Sequence, residues 1–263
     1  MTPFYFGTEE RRLFGIYEPA RRGPGRRAVV LCHPWGAEHL HAYRSMRQLS
    51  ATLTAAGLHT LRFDYFGTGD SAGEMTAATL DGWHADIRAA VQELLDTTGA
   101  TRVGLVGLRL GATLAAMVAA KSRDAIDSLV LWDPVVNGTS YLKELRETCR
   151  HGSVHGAAVP RRGCDGGGHE ILGFPLTTAM ASEFATIDLL ALTPALPERT
   201  LFMLSHPLPS HLALSEALRR HAGGSKLIEQ IDDQPCWVER PLGHPLAGTV
   251  PVKVLQSIAA WLT

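Results

Sequence analysis

The chain has 263 residues, enough for one large α/β domain or for a core with an inserted cap. Hydrophobic residues at 45% and charged residues at 19% exclude a disordered chain, and a formal net charge of −1 gives no reason to expect nucleic acid or an anionic membrane as partner. No apolar run reaches the roughly 18 residues of a membrane span, residues 1–11 lack a signal peptide's apolar stretch, and Cys32, Cys149, Cys164 and Cys236 form no C-x-x-C pair, so the expectation is a cytoplasmic protein with no disulfide framework and no zinc site.

Residues 4–7 and 13–17 read as a hairpin at a sheet edge. The apolar run 28–32 suits a strand buried on both faces, and it ends in the loop His33-Pro34-Trp35-Gly36. Helical spacing over 43–56 stops at Gly57. A strand at 58–63 leads into Asp64-Tyr65-Phe66-Gly67-Thr68-Gly69-Asp70-Ser71. Residues 80–98 are an amphipathic helix, with Trp83, Ile87, Val91 and Leu94 on one face and Gly99 past its end. Next comes a strand from Val103 that breaks at Gly107-Leu108-Arg109-Leu110-Gly111 into a helix of small residues. Residues 128–132 form another strand, ending in Asp133-Pro134.

The alternation then lapses. Residues 141–150 are helical, 151–170 read as a Gly-, Arg- and His-rich mobile loop, and 171–192 are helical in two pieces. We assign 137–195 to a cap inserted over a core of 1–136 and 196–263. The alternation resumes with a strand at 200–205, a helix at 210–221, a strand near Cys236-Trp237-Val238-Glu239, and a last helix at 252–262. Such a chain makes a mostly parallel sheet with helices on both faces and its ligand site at the strands' carboxyl ends.

The order His33-Pro34-Trp35-Gly36, Arg62-Phe63-Asp64-Tyr65-Phe66-Gly67-Thr68-Gly69-Asp70-Ser71, Gly107-Leu108-Arg109-Leu110-Gly111-Ala112 and Leu129-Val130-Leu131-Trp132-Asp133-Pro134 resembles the α/β-hydrolase superfamily. It is most similar to the exosortase-associated and serine-aminopeptidase-like branch, where the elbow often reads G-L-R-L-G. Some relatives of that kind act in polyketide and antibiotic pathways and eliminate acetate from acetylated tetronates. The resemblance covers residues 28–136 well and the C-terminal third loosely, and it implies fold more than reaction.

In active members the elbow reads G-x-S-x-G and carries the nucleophile; here Arg109 holds that place. A guanidinium stays protonated and has no lone pair for attack, so acyl-enzyme chemistry at this position is excluded. Two readings stay open. Arg109 either holds a carboxylate, enolate or departing acetate with its planar fork, or it is a structural cation paired with an acid such as Asp133 or Glu38.

The resemblance also implies roles for other residues. His33 lies on the oxyanion-hole loop, as a catalytic side chain or as loop geometry alone. Cys32 reads as inert core, and Asp64 with Asp70 and Ser71 as turn architecture. The loop after the strand at 200–205 has no carboxylate, so the usual acid is missing and Asp133 is the substitute. His244 falls in the slot of the catalytic histidine, with His206 as the other choice. The candidate catalytic set is therefore Arg109, His244, Asp133 and His33, with Trp35, Glu38, Tyr65, Leu108 and Leu110 lining the substrate. The chain's twelve histidines show no H-x-E or H-E-x-x-H spacing, so no metal and no other cofactor is expected.

The favoured function is a lyase eliminating acetate or another carboxylate from a small acylated molecule. The alternatives are an esterase-, thioesterase- or acyltransferase-like enzyme with a His–Asp base, and an inactive binding protein. A homodimer is left open.

Overall fold

The computed structural model describes residues 1–22, 27–151, 153–154, 157–158, 170–220, 226–238 and 249–263. Its centre is a sheet of eight strands in the order β1-β2-β4-β3-β5-β6-β11-β12. The hairpin β1 (Thr2–Gly7) and β2 (Arg12–Glu18) forms one edge, and β2 runs antiparallel to β4 (His59–Phe63). From β4 onward, β3 (Ala28–Cys32), β5 (Val103–Leu108), β6 (Ile126–Trp132), β11 (Arg199–Leu204) and β12 (Lys226–Gln230) are all parallel to their neighbours. This is the mostly parallel sheet expected.

The inner strands form because both their faces are covered. Every residue of β3 and β5 is buried, matching their unbroken apolar runs. On one face, α2 (Leu80–Thr98) and α3 (Leu110–Ala119) pack Trp83, Ile87, Leu114 and Val118 into the larger core. On the other, α1 (Ala37–Ala55) and α8 (Val252–Leu262) pack Leu49, Leu53, Val254 and Ile258 against Val106, Val130 and Leu201. Helix α2 is punctuated as its sequence demands: the Thr79 hydroxyl accepts from the Gly82 N–H, and Gly99 ends it at φ 66°, where a Cβ would be strained.

Besides shifts of one to three residues at other element ends, two differences from the sequence reading stand out. Helix α1 begins at Ala37, six residues before 43, so Glu38 and His39 lie in its first turn. Its N-cap is Gly36, which makes no side-chain capping bond and so leaves no start signal. The last strand among the described residues is β12, with Cys236 and Trp237 in a turn beyond it; β12 is half exposed and carries Lys226 and Glu229, so it lacks the apolar run that marked the others.

Between β6 and β11 lie α4 (Gly138–His151), the short strands β7 (Ser153–Val154), β8 (Ala157–Ala158), β9 (Glu170–Ile171) and β10 (Phe174–Pro175), then α5 (Thr178–Ala185) and α6 (Leu189–Leu192), so 171–175 belong to a strand pair where helix was expected, and 153–154 with 157–158 form a second pair within the expected loop. This segment contacts the loop after β3: Phe174 and Phe184 meet Trp35 edge-on, at centroid distances of 6.2 and 5.7 Å. Cys149 in α4 is disulfide-bonded, against the expectation from spacing, whereas Cys32 and Cys236 are buried free thiols. The cysteines thus lend no argument for a reducing compartment. No helix among the described residues is long and apolar enough to cross a membrane.

Helix α7 (Pro209–Arg220) yields a prediction on acid stability. The Nε2–H of its buried His211 donates to the Pro134 carbonyl at 3.0 Å, and its Nδ1 accepts from the Leu208 N–H at 3.1 Å. The bond accepted at Nδ1 requires the neutral ring. Burial lowers its pKa, the Pro134 carbonyl and Asp133 oppose that shift, Arg109 adds to it and Glu144 opposes it. The unfolded chain therefore binds this proton more readily. The stabilisation is complete above the ordinary histidine pKa of about 6.5 and is lost as pH falls from there toward the folded value. Melting temperatures taken between about pH 7.5 and 5 should show wild type losing its advantage over His211→Asn as pH falls. A gap that stays constant would exclude His211 as the source.

Candidate active site

The β5–α3 turn keeps the geometry of a nucleophile elbow. Arg109 sits at its apex with φ 53° and ψ −123°, a backbone state costly for a residue with a Cβ. The flanking glycines explain the motif. A Cβ on Gly107 would lie 2.3 Å from the Ala112 Cα, and one on Gly111 would lie 2.3 Å from the His33 carbonyl oxygen.

What the apex presents is a closed ion pair. Arg109 is 1% exposed. Its Nε donates to Glu38 Oε1 at 2.9 Å, and a terminal nitrogen donates to Glu144 Oε1 at 2.7 Å. The Tyr141 hydroxyl donates to the second Glu38 oxygen at 2.9 Å, and the guanidinium carbon lies 3.9 Å from the Trp237 ring centroid. Burial raises the Glu38 pKa, against the pull of Arg109 and Tyr141. Burial also opposes the Arg109 charge, but Glu38 and Glu144 outweigh it and hold the guanidinium charged. Of the two readings, the geometry matches the structural cation. Glu38, expected to line the substrate, is its partner instead.

Asp133 is equally committed. One oxygen accepts from the backbone N–H groups of Ser205 (2.8 Å) and His206 (3.1 Å). The other accepts from the Ser205 hydroxyl and from Trp237 Nε1. These four donors fill a carboxylate's capacity, and no described histidine side chain hydrogen-bonds to it. His244 lies outside the described residues, so the expected His244–Asp133 pair is not on view. The His206 ring lies edge-on to Trp237.

The cavity lies to the side of the elbow. It has a volume of about 350 Å³ and is lined by Trp35, Leu40, Tyr65, Met75, Leu110 and Phe174, with His33, His39 and Asp64 at one wall. Trp35, Tyr65 and Leu110 are thus where the sequence reading put them, and the Tyr65 hydroxyl faces the Cys32 thiol. Leu108 is not among the lining: β5 turns it to the opposite face, against the core of α1 and α8. Arg109 does not line the cavity either.

At that wall, His33 and His39 lie ring against ring with centroids 3.9 Å apart, and Tyr65 packs on His33 at 4.5 Å. The His33 Nδ1 contacts the Pro34 carbonyl at 2.8 Å. A carbonyl only accepts, so Nδ1 carries the proton and Nε2 carries a lone pair. Burial pulls the His33 pKa down to about 4 and the His39 pKa to about 3, which keeps both rings neutral. His33 Nε2, His39 Nδ1 and Trp35 Nε1 are buried and find no hydrogen-bond partner among the described residues. Leaving such groups unpaired costs about 1–3 kcal/mol each, so their convergence on one cavity marks a site rather than a core.

One ligand atom each from His33, His39 and Asp64 lies within 4.8 Å of the others. The histidines are six residues apart and Asp64 comes 25 later, so metal-motif spacing did not reveal the group. Sheet adjacency did the assembling: β3 and β4 pair in parallel with Leu31 opposite Arg62, which brings the residues after each strand to one level.

The model of the family described as serine aminopeptidase, S33, matches residues 23–167, more than half of the chain. No curated protein matches by sequence. Among solved structures, the ferulic-acid-bound Est1E of Butyrivibrio proteoclasticus aligns at TM-score 0.68 and 19% identity over 98% of this chain and 97% of its own. The Pyrococcus furiosus esterase Pf2001 aligns at TM-score 0.69 and 16% identity over 99% and 89%. The proline iminopeptidase of Mycobacterium smegmatis aligns at TM-score 0.65 and 12% identity over 99% and 97%. At these identities the likeness concerns the fold.

Proposed function

The chain belongs to the serine aminopeptidase S33 family of α/β hydrolases, and from that premise we propose that it is an ester-type hydrolase in which water attacks directly, with no acyl-serine intermediate. The observation that carries this reading is the set of unpartnered polar atoms on residues that line a largely apolar cavity: His33 Nε2 as acceptor, Trp35 Nε1 as donor, and His39 Nδ1. A water held on the His33 lone pair beside Asp64 is the nucleophile. Its oxygen bonds to the ester carbonyl carbon, the C–O bond to the alcohol breaks, and the water's proton passes through the His33–His39–Asp64 cluster to the departing alkoxide. Trp35 Nε1–H, rigid and desolvated, is placed to donate to the carbonyl oxygen as charge builds there. The cavity's aromatic and aliphatic lining suits a small, uncharged acyl ester.

Elimination of a carboxylate draws less support. It relied on Arg109 to hold the departing anion, and that guanidinium already faces Glu38 and Glu144.

Hydrolysis of short aryl esters in ¹⁸O-labelled water tests the proposal. One labelled oxygen should enter the acid product in the first turnover, and a serine-directed fluorophosphonate should neither label nor inhibit the protein. Label-free acid together with an unsaturated co-product would establish elimination instead. Fluorophosphonate adduct on any serine would overturn the direct-water mechanism.

A further inference from the structure

We propose that His33 Nε2, His39 Nδ1 and a carboxylate oxygen of Asp64 form a binding site for a divalent transition-metal ion, of the type that zinc or cobalt occupies. Three observations support it. First, the donor set is two imidazole nitrogens and one carboxylate, the facial combination that catalytic zinc sites use, with a further position left to water. Second, one ligand atom from each of His33, His39 and Asp64 already lies within 4.8 Å of the others. A metal bound at about 2.0–2.1 Å needs them roughly 3.4 Å apart, which small side-chain rotations supply. Third, the two nitrogens are buried and unpartnered among the described residues, so binding there satisfies groups that the fold leaves costly.

The surroundings are those of a metal ligand shell. The His33 Nδ1–H to Pro34 carbonyl bond is the outer contact that fixes a ligating histidine's tautomer and aims its other nitrogen. Asp64 is anchored too: its Oδ2 accepts from the Asp70 N–H at 3.0 Å, and Gly69 packs so close that a Cβ would sit 2.1 Å from that oxygen. Arg62 adds a positive charge near His39 and Asp64, partly answered by Glu18 at 3.5 Å. That charge opposes any bound cation, whereas the donor set, two imidazoles and only one carboxylate, disfavours calcium and magnesium, which want several anionic oxygens, and favours an ion that binds nitrogen strongly.

The site itself stands on geometry alone, and its catalytic use rests on the hydrolase reading above. A zinc ion there would lower the pKa of its bound water to about 7 and so supply hydroxide at the cavity wall.

Full-length chain treated with a chelator and dialysed would be titrated with Co²⁺, followed by calorimetry and visible absorption, with Zn²⁺ as competitor. The expected result is one Co²⁺ per chain, the ligand-field bands of a low-coordinate nitrogen–oxygen site, and displacement by Zn²⁺. His39→Gln and Asp64→Asn, each checked for folding by circular dichroism, should weaken binding by at least about tenfold, the lower end of losses seen even for outer-shell changes. His206→Asn, outside the cluster, should bind as wild type. No binding by wild type overturns the site, as does undiminished binding by both folded variants. Metal binding without ester hydrolysis would refute the hydrolase reading and leave the site intact. Hydrolysis indifferent to chelation and to Co²⁺, with no binding, would do the reverse.

Discussion

Arg109→Ala should destabilise the protein by about 3–5 kcal/mol, the cost of removing one partner from a buried ion pair. The reason lies in what stays behind. Glu38, whose side chain is 10% exposed, would keep only the Tyr141 hydroxyl, and its charge would have no counterion in a desolvated pocket. The stacking of the guanidinium on Trp237 would go as well. For a chain of this size each kcal/mol moves the melting temperature by roughly 2–4 °C, so thermal denaturation should show a drop of about 10 °C. Adding Glu38→Gln should recover much of the loss, since a neutral amide is far cheaper to bury than an unpaired carboxylate. Ester hydrolysis by whatever fraction stays folded should fall little, because Arg109 does not line the cavity. A stable Arg109→Ala variant with abolished activity would restore Arg109 as an anion holder and reject the structural reading.

The elbow shows how far sequence reading reaches in this chain. Its strand, turn and helix were legible because apolar runs and glycine spacing are local. The same locality placed β3, β5, α2 and α8 at their observed bounds. The identity of Arg109's partner was not local. Glu38 is 71 residues away, and it reaches Arg109 because α1 starts at Ala37, behind a Gly36 cap that gives no signal. The misplaced helix start also left His39 outside any expected element, so it was not singled out. Asp64 read as turn architecture, and it does hold its turn through the Asp70 N–H. Its second relation, to His33 and His39, follows from β3 and β4 being neighbours in the sheet. That adjacency is the one signal that would have found the site: two parallel neighbours ending in His33 and Asp64 bring those residues together. The attention given to Asp133 and His244 followed chain order in related enzymes, and chain order does not tell whether a carboxylate is already saturated by Ser205, His206 and Trp237.

His33→Ala should abolish ester hydrolysis while leaving the fold nearly intact. The two effects separate because of where the side chain's bonds go. Its one hydrogen bond, Nδ1–H to the Pro34 carbonyl, is made to the adjacent residue and ties no distant elements together. Losing that bond should cost about 1 kcal/mol, losing the ring's packing on His39 and Tyr65 adds a cavity cost that His33→Gln largely avoids, and removal of the unpartnered Nε2 recovers part of the desolvation cost. Chemistry has no such compensation. In the proposed mechanism Nε2 holds the attacking water, by a hydrogen bond or through a bound ion. Removing a group that handles the nucleophile's proton lowers rates by about 10²–10⁴. The loss should appear in kcat with little change in KM, since the apolar lining of Trp35, Leu110 and Phe174 binds the ester and is unaltered. His33→Gln is the informative companion. It keeps an acceptor and much of the volume but neither relays a proton nor ligates a metal well, so it should be as inactive as alanine and melt close to wild type. A His33→Ala enzyme with wild-type kcat would remove the cluster from the mechanism and direct the search for the base to His206 or His244. A His33→Gln enzyme retaining most of its rate would mean that the ring serves only to hold the Pro34 turn.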